Sequence, residues 1–206
     1  QRLQLISIFD VSQRTQEHKE QKKTQPMHTF KLNVSDSVLS DLHERLSKTR
    51  WPIQETNDWS KGTNTKFLKR LVRYWSNEYD WRSQERSINK MGPHFITSIQ
   101  DIRIHFIHRR SHTKERRPAL LLVHGWPCSF LVFRKTIDRL SRYFDVIVPS
   151  IPGYGFSEPA KRPGMHCANV ARIFDELIVS CLGYPRYYAQ GGESVFYVIL
   201  SYKLNS

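Results

Sequence analysis

Three strand-length runs in the second half of the chain each break into a glycine-bearing turn. Ala119 to Val123 leads into His124-Gly125, Phe144 to Pro149 leads toward Gly153-Tyr154-Gly155, and Arg186 to Gln190 leads into Gly191-Gly192. Segments of helical spacing, Phe130 to Tyr143 and Asn169 to Leu182, separate the runs. Strands that alternate with helices and read as near-continuous apolar runs predict a parallel sheet covered on both faces. In such a sheet ligands bind beyond the carboxyl ends of the strands. The turns at His124 to Cys128, Pro149 to Ser157 and Gly191 to Ser194 therefore fall together and mark a site by position alone.

The first half has a different character. Residues 1–25 are rich in Gln, Lys and Glu with little periodicity, which reads as a flexible leader. Phe30 to Val34 alternates like a short strand, and Ser35 supplies an N-cap ahead of Val38, Leu39, Leu42 and Leu46 at helical spacing. That helix should stop near Arg50, because Trp51 precedes Pro52. A second helix is expected over Thr65 to Tyr79, with Phe67, Leu68, Leu71, Tyr74 and Trp75 on its buried side. A third, Trp81 to Lys90, ends before Gly92-Pro93. Phe95 to Ile99 and Ile102 to His108 then alternate as paired strands joined near Gln100-Asp101. The expected organisation is a leader (1–25), a helical meander (26–93) and an α/β domain (94–206) that closes on an apolar helix from Val195 to Leu204.

With 206 residues the chain can bury a core. Its net charge of +13 would attract phosphates or an anionic membrane surface. The basic residues are nevertheless dispersed, apart from Arg109 to Arg117, which reads as a solvated loop; no nucleic-acid-binding motif accompanies it, so no nucleic-acid partner is expected. Three cysteines, Cys128, Cys167 and Cys181, have no metal-ligand spacing and do not suit a disulfide scaffold. His105 and His108 sit on strand faces without a third ligand, so no metal site is expected. No apolar run approaches the roughly 20 residues of a membrane-spanning helix.

A nucleophile on a strand-to-helix elbow needs small neighbours, because its backbone is strained and its side chain must point away from the sheet. Gly191-Gly192-Glu193-Ser194-Val195 has small residues before Glu193 and a β-branched Val after it. The chain resembles the microsomal, juvenile-hormone type epoxide hydrolases, which have the α/β-hydrolase fold preceded by an N-terminal meander. The resemblance runs from about Phe30 to the end. It rests on Arg50-Trp51-Pro52, Tyr74-Trp75, Tyr79-Asp80-Trp81-Arg82, Ile104 to His108, His124-Gly125-Trp126-Pro127 and Ile151 to Ser157.

The resemblance implies hydrolysis of small apolar epoxides to vicinal diols, with no cofactor and no metal. In that family an aspartate opens the epoxide to an alkyl-enzyme ester, lid tyrosines protonate the leaving oxygen, and a histidine held by a second carboxylate directs water onto the ester. Glu193 stands at the nucleophile position. The backbone N–H groups of Trp126 and Ser194 stand where the oxyanion donors would be. The pattern departs at several points: Glu193 replaces Asp, Ser194 and Val195 replace Trp and Gly, and Cys128 replaces the Gly after Pro127. One added methylene moves the carboxylate by roughly an ångström, which can cost about a hundredfold in rate. No His, Asp or Glu follows Glu193, so the chain is expected to carry only part of the catalytic machinery. The resemblance also implies an endoplasmic reticulum membrane location, with a cytoplasmic one as the alternative for a sequence without a membrane-spanning run, and the basic charge makes peripheral membrane association the accompanying expectation. Two alternatives stay open: a non-catalytic binding module, and a serine esterase using Ser194. The oligomeric state is not legible.

Overall fold

The computed structural model describes residues 6–10, 26–52, 58–60, 62–113 and 115–191. Its centre is a seven-stranded sheet. In chain order the strands are β1 (Ile6–Asp10), β2 (His28–Phe30), β3 (His94–Ile99), β4 (Ile102–Arg109), β5 (Ala119–Val123), β6 (Asp145–Pro149) and β7 (Arg186–Gly191). Their order across the sheet is β1-β7-β5-β6-β4-β3-β2.

The expectation of a parallel sheet holds only for the middle of it. β6, β5 and β7 run parallel, while β1 pairs antiparallel with β7, and β4, β3 and β2 continue antiparallel from β6. For β3 and β4 the cause is connection length, since a two-residue turn can join only antiparallel neighbours. Ile99 pairs with Ile102, and the intervening Gln100 and Asp101 have φ of 51° and 63°, the left-handed pair of a tight hairpin turn. β1 lies in the stretch read from sequence as leader.

Both faces of the parallel strands are covered. Leu121, Val123, Ile147 and Ala189 pack with Ile104 and Phe106 against Ile173, Phe174, Leu177 and Ile178. Those last four lie on the helix α5 (Cys167–Asp175) and the π-helical turn Glu176–Cys181 that extends it. The alternate residues Leu120, Leu122, Val146 and Val148 point to the other face and are equally buried. The segment expected as one helix from Phe130 to Tyr143 is instead a 3-10 turn, Phe130–Phe133, and a short α4, Ile137–Leu140. Thr136 explains the interruption. Its N–H and its Oγ1 both donate to the Phe133 carbonyl, each at 2.9 Å, which closes a tight turn in place of the helical bond.

Residue contacts set apart a helical unit, Leu32–Ser87. It holds α1 (Asp36–Ser47), α2 (Thr65–Asn77) and most of α3 (Trp81–Asn89). Ser35 caps α1 as its position predicts, accepting from Val38 N–H, and Asn64 caps α2 by accepting from Phe67 N–H at 2.9 Å. The strand expected over Phe30 to Val34 is shifted to His28–Phe30, because side chains claim the backbone of Val34. Glu85 accepts its N–H at 2.7 Å, and Arg82 donates to its carbonyl at 2.8 Å. The Val34 N–H, followed by Arg82, holds the Glu85 carboxyl below the usual carboxylate range. Phe67, Leu71, Tyr74 and Trp75 do share one side of α2, yet all four are exposed among the described residues. Periodicity tells which residues share a face, not how deeply that face is covered: Phe67 meets the Trp59 ring at 5.4 Å between centroids and is still exposed.

Candidate active site

The parallel strands end side by side, with Val123 of β5 in register with Gly191 of β7. The turn after β5 begins at His124, which is buried. His124 Nδ1 donates to the Gly125 carbonyl at 3.2 Å, and Nε2 accepts the Ile151 N–H at 3.2 Å. One imidazole therefore clamps the turn after β5 to the loop after β6. Burial lowers the His124 pKa, partly offset by the bond to Gly125, and keeps the ring neutral as this bonding requires. Cys128 N–H closes the turn onto the Gly125 carbonyl at 2.9 Å, the Trp126–Pro127 peptide is cis, and the Trp126 side chain is 69% exposed.

The loop after β6 is bound at both ends. Ser157 Oγ donates to the Ser150 carbonyl at 2.7 Å, and Glu158 grips β4 by accepting from Arg103 Nε at 2.6 Å and Arg103 N–H at 3.1 Å. Between these ends Gly153 and Gly155 take φ of 85° and 54°. Gly155 has a second reason to be glycine: a Cβ there would lie 2.5 Å from Ser150 Oγ. The His124 and Tyr154 rings meet edge to face at 5.6 Å, so the two loops touch through side chains as well.

Below the loops lies a buried polar cluster that sequence reasoning missed. His94 Nδ1 and His105 Nε2 are 2.9 Å apart, and His105 Nδ1 is 2.9 Å from Ser150 Oγ. Burial, then the neighbouring His94, push the His105 pKa down to about 3, and burial lowers that of His94. The available signal was a histidine at an inward position of an apolar strand, between Ile104 and Phe106. Among the described residues no three His, Cys, Asp or Glu side chains converge as a metal site. Of the residues singled out from sequence, Trp126 lies in the turn after β5, between the Gly125 carbonyl and the Cys128 N–H that close it. Glu193 and Ser194, like the expected helix from Val195 to Leu204, lie outside the described residues.

The family described as "Epoxide hydrolase N terminus" matches residues 27–133, and the alpha/beta hydrolase fold matches residues 118–194. The chain belongs to the epoxide hydrolase family. Juvenile hormone epoxide hydrolase 2 of Ctenocephalides felis is 40% identical over 185 residues, covering 85% of this chain and 39% of that protein. Epoxide hydrolase 1 of Sus scrofa is 42% identical over 178 residues, covering 80% and 39%. Among solved structures, juvenile hormone epoxide hydrolase from the silkworm Bombyx mori aligns with a TM-score of 0.78 at 35% identity, over 88% of this chain and 50% of that one. The Aspergillus niger epoxide hydrolase aligns with a TM-score of 0.74 at 26% identity, covering 85% and 48%. This member of the family thus spans about 39% of the length of these curated relatives, and its sheet is that of an α/β-hydrolase.

Proposed function

We propose that the protein acts on apolar epoxides, with Glu193 as the attacking carboxylate and the N–H groups of Trp126 and Ser194 as oxyanion donors. The observation that carries this reading is the junction of β5, β6 and β7. The Trp126 turn and the glycine loop after β6 are locked together through His124, and β7 ends at Gly191 in register with Val123, two residues before Glu193 in the sequence. The reaction divides into two steps. A Glu193 oxygen forms a bond to an epoxide carbon, that carbon's bond to the ring oxygen breaks, and the released oxygen takes a proton from water. Water then cleaves the ester to the diol and regenerates the carboxylate. Only the second step needs a base. Mass spectrometry on samples quenched during incubation with a reactive aryl epoxide should show a protein heavier by the mass of one epoxide, the adduct mapping to Glu193 and absent in Glu193→Gln. Neither adduct nor diol over extended incubation would reject this reading.

The same reading includes peripheral association with an anionic membrane, at the endoplasmic reticulum by family resemblance. α2 supports it: Lys66, Lys69, Arg70 and Arg73 are unaccompanied by any acidic residue, beside the exposed Phe67, Leu71, Tyr74 and Trp75. Lys66 and Arg70 line an open hollow of about 450 Å³ with Trp59 and Phe67. No helix among the described residues is long and apolar enough to cross a membrane. Cosedimentation with phosphatidylserine vesicles should weaken as salt rises and weaken further in Lys66→Glu/Arg70→Glu. Equal recovery with neutral and anionic vesicles would discard the association.

A further inference from the structure

The cluster beneath the loops has only one neutral bonding pattern. His94 Nε2 lies 3.0 Å from the Ile88 carbonyl oxygen, which has no proton to give, so His94 carries its proton on Nε2. Nδ1 of that ring is then an acceptor, and the 2.9 Å contact obliges His105 to donate from its own Nε2. His105 Nδ1 becomes an acceptor in turn, and Ser150 Oγ must donate to it. One backbone carbonyl thereby fixes two tautomers and one hydroxyl rotor. All three side chains are almost wholly buried, at 4%, 0% and 0% exposure, where a mispaired lone pair is costly.

We infer that the relay from Ile88 through His94 and His105 to Ser150 positions the Trp126 turn, with His105 as the positioning residue; the term rests on the epoxide-hydrolysing reading of that turn. His105 holds the loop after β6 by three bonds, and a fourth closes that loop on itself. Its carbonyl accepts Ser150 N–H at 2.9 Å, its N–H donates to Ser157 Oγ at 3.0 Å, its ring accepts the Ser150 hydroxyl, and Ser157 returns to the Ser150 carbonyl. The next residue, Ile151, gives its N–H to His124, from which the Trp126 turn departs. Rings from both loops also close on His105: Phe130, just after the Trp126 turn, at 5.0 Å and Phe156 at 5.2 Å between centroids. Ser150 is committed inward by this pattern. Its hydroxyl serves as a tether, and Gly155 leaves the space the tether needs.

Nuclear magnetic resonance on the full chain tests the relay without reading turnover. Long-range proton–nitrogen spectra at pH 7 should show His94 and His105 both neutral with the proton on Nε2. With 5-fluorotryptophan incorporated, and its Trp126 signal assigned through Trp126→Phe, Ser150→Ala should displace both that signal and the His124 ring resonances. Ser150→Cys, a weaker donor of similar size, should displace them less. Ser141→Ala is the control: Ser141 is equally buried but bonds to the Asp138 carbonyl, so its loss should reduce stability and leave Trp126 unmoved. A proton on Nδ1 of either ring in the unmodified protein would overturn the inference even if no variant folds. So would a folded Ser150→Ala protein with unchanged Trp126 and His124 signals. A protein inert toward epoxides that gave the expected spectra would fail the functional reading and leave the positioning intact.

Discussion

Acidification from pH 7 to pH 4 is expected to destabilise the sheet through its buried histidines. Burial, then His94, push the His105 pKa down to about 3. Burial, then Arg110, push the His108 pKa down to about 4, against an opposing pull from Asp145. Both native values lie below the roughly 6.5 of an unfolded histidine, so between those limits the unfolded chain binds more protons. The stability these rings contribute is therefore fully present above about pH 6.5 and is lost as the pH falls toward 3. At about 1.4 kcal/mol per unit, and allowing for relaxation around the rings, the two together should contribute on the order of 5 kcal/mol. His94 and His124, also lowered by burial, act in the same direction. Urea midpoints measured at pH 7, 5.5 and 4 should fall steadily. A midpoint constant across that range would show that these rings are not held neutral.

These buried rings also mark where sequence reading reaches its limit. That the turns after β5 and β6 fall together at one end of the sheet was legible, because glycine breaks follow both strands. The hairpin turn at Gln100-Asp101 was legible too, from alternation on either side. Strand direction at the margins was not, since β4 and β6 become neighbours only through long-range pairing. The break at Thr136 was hidden because a hydroxyl competing for a carbonyl leaves no trace in hydrophobic spacing. The role of His105 was the least visible of all. It depends on His94, Ser150 and the Ile88 carbonyl arriving from other segments.

Asp145→Ala should lower stability by about 3 kcal/mol, because it strips the acceptor from a buried network that joins four segments. Asp145 opens β6 at the end of the sheet opposite the loops that follow β5 and β6, and is 3% exposed. Its Oδ1 accepts Ser111 N–H at 2.7 Å, and its Oδ2 accepts the Tyr184 hydroxyl at 2.7 Å. That hydroxyl, with its proton so committed, accepts from His108 Nε2 at 3.2 Å. Arg116 lies over the Tyr184 ring at 3.9 Å and donates to the carbonyls of Leu182 and Gly183 at 2.8 and 2.9 Å. Burial, followed by the bond to Asp145, raises the Tyr184 pKa to about 12, so this phenol stays a donor across the accessible pH range. Removing the carboxylate leaves the half-buried Ser111 N–H and the buried Tyr184 O–H without their acceptor. Tyr184→Phe leaves the Ser111 bond to Asp145 in place but deprives His108 Nε2–H of its acceptor, so it should cost about 2 kcal/mol. In the double variant the two losses should fall short of adding by about 1 kcal/mol, the mark of residues sharing one bond. Urea unfolding of the three variants measures both quantities. Strict additivity, or a loss below about 1 kcal/mol for Asp145→Ala, would mean that water replaces the carboxylate and that the network does not hold this end of the sheet.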